Sequence, residues 1–232
     1  MIHLLRIHFI TLLFLLFLSW PADLINGALA GETAEEPMDQ SARKAFLDRL
    51  RKVQAGIRTF QADFKEERKM PSLGRPLSFE GRVYYARESL FFMEYQRPFQ
   101  YILCVRGKEA LLYVEGSRTA DVMDISGVKG LGKRPDLLGW DPNQFKGRVW
   151  EEAEGYRLEE TGPKEGEAEN SRRLIVFIDH KTLLASRIQM DDASGDVTKI
   201  TLSNVKVNQE LPLKVLHFTL PEGTRLNRLS RP

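Results

Sequence analysis

The residues best placed to do chemistry are Gly127, Gly132 and Lys133. They are spaced as in a phosphate-binding loop, whose amides cradle phosphates and whose lysine reaches the outer ones. Such a loop needs a Ser or Thr hydroxyl next, for magnesium, and Arg134 stands there instead. No helix long enough to offer its N-terminus to a phosphate follows. Ser126–Lys133 is read as a glycine loop. Metal binding fails on ligand supply: beyond residue 30 only His180, His217 and Cys104 remain, far apart, and they make no closed zinc set. A nucleophile would need a base beside it, and neither histidine lies in a recognisable strand-end motif. Glu66-Glu67 and Asp191-Asp192 are adjacent on strands, so each pair points to opposite faces. They cannot converge on one bond, and each is read as a solvated strand end. The expectation is no catalytic residue, no metal and no cofactor: not an enzyme.

The elements around these residues are mostly strands. Ser41–Arg58 is the one long helix, with Phe46, Leu50, Val53 and Ile57 in a single stripe and Asp39 or Ser41 as cap. From Thr59 the period drops to two. Phe60, Ala62 and Phe64 alternate with Gln61, Asp63 and Lys65, and Leu77, Phe79, Gly81, Val83 and Tyr85 share the next face. Phe91, Met93 and Tyr95 then face one way, with Leu90 and Phe92 beside Glu94 on the other. Strands follow at Tyr101–Val105, Ala110–Val114 and Thr119–Ile125, with a hairpin turn at Arg106-Gly107-Lys108. Pro135–Trp140 is short and apolar, with helical character. Later strands are expected at Arg148–Ala153, Tyr156–Glu160, Leu174–Asp179, Ala185–Asp191, Val197–Val207 and Val215–Leu220. Gly162–Arg173 reads as a solvated hairpin loop. About a dozen short strands with tight connections imply one large curled antiparallel sheet.

One stretch stands apart. Phe79–Tyr113 holds nine of the chain's 22 aromatic residues, and two of its strands carry apolar groups on both faces. A half-solvated antiparallel sheet should alternate apolar and polar, so something must cover the second face or be held against it. Two readings stand side by side. Either Phe91, Met93 and Tyr95 are ordinary core beneath the Ser41–Arg58 helix, or the curled sheet encloses a volume for hydrocarbon.

The ends and the composition narrow the setting. Residues 1–30 read as a signal peptide: Arg6, an apolar run from Phe9 to Trp20, then Ala28-Leu29-Ala30 at the cut. The run is shorter than the roughly 20 residues of a spanning helix. Residues 31–40 read as a flexible leader and 41–232 as a single domain. Losing Arg6 and Asp23 leaves the formal charge at +2, with both signs interspersed and no footprint for nucleic acid. A single cysteine, Cys104, excludes an internal disulfide and is expected buried and inert.

Several segments in order are similar to the LolA family of periplasmic lipoprotein carriers. Phe60–Glu66 resembles its "SFxAxFxQ" strand, and Gly81–Phe91 its "GxLxxKRPxLFRW" hairpin. Gln96-Arg97-Pro98, Arg106-Gly107-Lys108 and Tyr113 resemble the continuation "P…xDGxxLWxY". Pro135–Leu138 falls at a "P…LL" helix, and Asn204, Phe218 and Pro221-Glu222-Gly223 resemble the closing "N…FxFxPPxG". The resemblance implies a mostly β, α+β fold: an incomplete antiparallel barrel of about eleven strands, lidded by the long N-terminal helix and short helices. It implies an acyl-chain cavity lined by Phe60, Phe64, Phe79, Val83, Tyr85, Phe91, Met93, Tyr95, Leu103 and Leu112. Leu137, Leu138 and Trp140 would belong to the lid, and Arg87 would latch it. The implied partners are acylated outer-membrane lipoproteins, an inner-membrane ABC-type releasing complex and an outer-membrane receptor, served by a soluble periplasmic monomer.

The chain also departs from the pattern. Glu88 replaces the proline after the arginine and offers Arg87 an ion-pair partner, Met93 replaces a tryptophan, and Glu222 the second closing proline. Two other functions fit the same scaffold: a carrier of another envelope lipid or glycolipid, and a lipoprotein-sensing regulator, whose relatives carry a further C-terminal domain.

Overall fold

A computed structural model describes residues 36–126, 143, 145–161 and 173–229. Helix α1 spans Gln40–Gly56. The Asp39 carboxylate accepts from Ser41 N at 2.7 Å and Ala42 N at 2.9 Å, satisfying two of the free N–H groups at a helix start. Phe46 and Leu50 of the expected stripe are buried, with Leu47 beside them and Val53 partly covered. Ile57 leaves the stripe: it follows the helix with extended backbone and packs in a different cluster.

Among the described residues twelve strands follow: β1 Thr59–Lys69, β2 Leu77–Ala86, β3 Leu90–Arg97, β4 Tyr101–Arg106, β5 Glu109–Val114, β6 Thr119–Asp124, β7 Arg148–Glu152, β8 Gly155–Thr161, β9 Arg173–Asp179, β10 Ala185–Asp191, β11 Val197–Val207 and β12 Arg225–Leu229. A helical turn, α2 (Leu213–Leu216), precedes β12. All twelve strands join one open sheet in the order β12-β6-β5-β4-β3-β2-β1-β11-β10-β9-β8-β7. Two antiparallel meanders meet where β1 pairs with β11, and β12 adds to β6 in parallel. The α+β, mostly β architecture with an unclosed sheet is the expected one.

Register places the apolar residues of both meanders on one face, here called the core face. Phe64 lies opposite Leu202, Ile200 opposite Ile188, Ile188 opposite Val176, and Val176 opposite Leu158. Helix α1 covers only the β7–β10 part, where Phe46, Leu47 and Leu50 meet Val149, Tyr156, Leu158, Val176, Ile178 and Ile188. It does not cover Phe91, Met93 and Tyr95, which belong to a separate cluster on β1–β6 and β11. The reading of those three as core beneath the long helix is thus corrected.

One further expectation changes. Val215–Leu220 is no strand, because Leu211 and Val215, four apart, turn together onto the other face of β2–β4. They meet Tyr84, Leu90, Phe92 and Cys104 there, and Pro212, which has no N–H to give, opens the turn. This is what covers the second apolar face of β3. His217 is consequently an exposed residue just past α2. The strand β12 gave no hydrophobic signal, since its sequence is RLNRL.

Candidate functional site

All ten expected cavity residues lie together on the core face: Phe60, Phe64, Phe79, Val83, Tyr85, Phe91, Met93, Tyr95, Leu103 and Leu112 form one buried cluster. Strand periodicity alone places them. Phe60, Phe64, Val83 and Tyr85 are set by the β1–β2 register, and Met93, Leu103 and Leu112 lie side by side across β3, β4 and β5. The expected lid residues Leu137, Leu138 and Trp140 lie outside the described residues, as do Lys133 and most of the glycine loop.

One end of this face is polar, which the sequence reading missed. The alternation of β1 continues past Phe64, so Glu66 and Arg68 point inward, 0% and 5% exposed. Glu66 is therefore no solvated strand end; only Glu67 is, paired with Lys65 at 2.9 Å. Arg68 donates from Nε to Glu66 Oε1, and the Tyr95 hydroxyl donates to Oε2 at 2.8 Å. Burial opposes the charge on Arg68, but the Glu66 carboxylate beside it more than offsets this and holds the guanidinium charged. Burial first, then Glu66, pushes the Tyr95 phenol well above its usual value, so it remains a donor. The Tyr95 and Tyr101 rings stack at 4.0 Å, and the Arg68 guanidinium lies over Phe79 at 5.2 Å. The signal that could have found this site was the unbroken period of two from Phe60 to Arg68.

Arg87 sits at the other end of β1, in the turn from β2 to β3. Its Nη2 donates to the carbonyls of Gln54 at 3.1 Å, Ala55 at 2.7 Å and Ile57. A guanidinium suits these acceptors, because the last carbonyls of a helix lack partners and carry the negative end of its dipole. Asn208, unforeseen from sequence, completes the cap: its Nδ2 donates to Gly56 O at 3.0 Å, and its Oδ1 accepts from Arg58 N at 2.7 Å. No Arg87–Glu88 ion pair forms among the described residues. Glu88 instead adopts φ 61°, a left-handed conformation that proline, fixed near −65°, cannot take.

The opposite face of the sheet holds Cys104, 6% exposed. Burial pushes its thiol up to about 11, against the pull of Arg106. At pH 8 it is expected to react with a thiol reagent roughly a hundredfold more slowly in the native protein than after denaturation, which a colorimetric thiol assay checks. A groove of about 890 Å³ also opens on this side, lined by Glu94, Gln96, Ile102, Tyr113, Glu115 and Pro221 among others. Its lining also includes Tyr95 and Tyr101 of the apolar cluster. Among the described residues no group of three His, Cys, Asp or Glu could hold a metal ion, and no helix is long and apolar enough to cross a membrane.

With this geometry in view, the comparison with known families is decisive. Residues 55–219 match the family model described as "Outer membrane lipoprotein carrier protein LolA". The chain belongs to the LolA family. Curated relatives in the family include outer-membrane lipoprotein carrier proteins of Cupriavidus pinatubonensis, 24% identical over 202 residues (84% of this chain, 92% of the relative), and Bordetella avium, 24% identical over 180 residues (76% and 84%). Among solved structures, an uncharacterized conserved protein from Thermus thermophilus superposes with a TM-score of 0.50 at 17% identity, covering 82% of this chain and all of that one. A LolA superfamily protein from Nitrosomonas europaea gives 0.44 at 14% identity, covering 74% and 96%. In LolA terms, the segments that resembled the family motifs are β1, the β2–β3 hairpin with Arg87, the β4–β5 hairpin and Asn204. Asn204 adopts φ 52°, a conformation asparagine tolerates, and donates to Asp63 Oδ2 at 2.7 Å.

Proposed function

We propose that this protein is a soluble periplasmic chaperone that shelters lipoprotein acyl chains against the core face of β1–β6 and carries them from the inner to the outer membrane. The observation that supports this most is the continuous apolar face of ten residues left free of α1, in a member of the lipoprotein-carrier family. Acyl chains bind there by burial alone, at about 0.8 kcal/mol per methylene, and no bond is made or broken. Residues 1–30 direct export and are cleaved. An inner-membrane ABC-type complex loads the carrier, and an outer-membrane receptor empties it.

In this reading Arg87 and Asn208 hold the C-terminus of α1 against β2 and β11, which favours the closed, empty form. Closed and open forms must then differ by only a few kcal/mol, or loading would stall. Arg87→Leu removes the donor that three carbonyls share. The variant is expected to load cargo normally and to hand it to a receptor at least tenfold more slowly, because closure no longer drives release. A transfer assay from loaded carrier to receptor checks this, and a wild-type rate removes Arg87 from the mechanism. The reading as a whole is tested by mass spectrometry of what co-purifies, with a photo-crosslinker at Phe91. Triacylated peptides at Phe91 support it, whereas glycolipid alone would make the protein a carrier of another envelope lipid.

A further inference from the structure

Arg68 is the least explained group on the core face. Its side chain is 6% exposed, and its one hydrogen bond is from Nε to Glu66. A guanidinium carries five N–H groups in a planar fork, and neither terminal nitrogen donates to any described residue. Both Glu66 oxygens are engaged, Oε1 by Arg68 Nε and Oε2 by the Tyr95 hydroxyl. Stability does not account for such a pair. Buried ion pairs replaced by apolar groups of similar volume are often neutral or stabilising changes. The surrounding rings nevertheless fix the guanidinium: Phe79 lies under it, and the Tyr95–Tyr101 stack stands beside Glu66.

Its place on β1 suggests what it meets. Arg68 lies eight residues beyond Phe60, about 26 Å at 3.3 Å per residue. The apolar face between them is longer than one leaflet's share of the hydrocarbon layer, about 15 Å. An acyl chain laid along β1 therefore has room for its tail towards Phe60 and its polar end at Arg68.

We propose that Arg68 is a binding site for neutral carbonyl oxygens, the ester or amide groups that join acyl chains to a headgroup. This rests on the acyl-carrier reading above and adds the element that sets how deep each chain sits. The acceptor is neutral because Glu66 already balances the guanidinium. A phosphate or free carboxylate would leave an unbalanced negative charge beside the partly desolvated Glu66. The core face is covered in this form, so the carbonyl takes the site when the face opens to cargo.

Three probes test it on the purified protein by calorimetry: a dipalmitoylglyceryl peptide, its dialkyl-ether counterpart without carbonyls, and palmitate. The ester is expected to bind about tenfold more tightly than the ether, the effect of a hydrogen bond to a charged donor. In a Glu66→Leu/Arg68→Met variant the preference should vanish while ether affinity stays. Equal affinity for ester and ether in the wild type overturns the site and leaves the carrier reading standing. Binding of neither overturns the carrier reading itself, and with it the site. Palmitate binding more tightly than the ester overturns the neutral acceptor. If the variant does not fold, the wild-type comparison decides alone.

Discussion

Replacing Glu66 by leucine should destabilise the protein by about 3–5 kcal/mol, because it leaves the Arg68 guanidinium buried and unbalanced. The Tyr95 hydroxyl loses its acceptor in the same step. For a chain of this size that is a fall in melting temperature of roughly 10 °C, readable by calorimetry or urea titration. The double variant Glu66→Leu/Arg68→Met removes both charges and should return most of the loss. The contrast between single and double variants separates an ion pair from simple loss of side-chain packing. A single variant within about 1 kcal/mol of wild type would mean that water reaches this end of the face in solution.

Gly81→Ala is expected to cost about 3 kcal/mol or more, although it adds one methyl group. A Cβ there would lie 2.1 Å from Glu94 O and 2.8 Å and 2.9 Å from the Phe64 ring. The first contact is backbone held in the β3 ladder, so it cannot swing aside. The reason for the glycine is visible in the register, where Gly81 lies between Phe64 on β1 and Tyr95 on β3. With no side chain between them, the two rings meet across β2 at 4.8 Å, edge to face. The variant should also lose near-ultraviolet circular dichroism from Tyr95 as that contact opens. A wild-type urea midpoint would show that β1–β3 yield more easily than this spacing implies.

Much of this was legible in the sequence because it follows from local rules. The period of two placed Phe60 and Phe64, and then Phe91, Met93 and Tyr95, on one face with no knowledge of what lay opposite. The excess of apolar groups on both faces of β3 required a cover, and α2 is that cover. It was expected as a strand because Leu216, Phe218 and Leu220 alternate, yet Leu216 is 38% exposed; Leu211 and Val215 carry the packing. Arg87 was legible only through its family motif, since nothing nearby in sequence supplies its three acceptors. Its partners come from residues 54–57, some thirty positions earlier.

The sequence by itself determined strands β1–β11, the two-sided character of β3, a cap at Asp39 or Ser41 and the family, because each depends on neighbours a few residues apart or on motifs in order. Only the tertiary structure decided which half of the core face α1 covers, since an apolar stripe specifies burial and not a partner. It also decided that Glu66 is interior and Glu67 is not. Both are glutamates in one strand; what lets the inward one stay charged is Arg68 on the same strand and the Tyr95 hydroxyl, 29 residues further on, which the sheet brings in to donate to it.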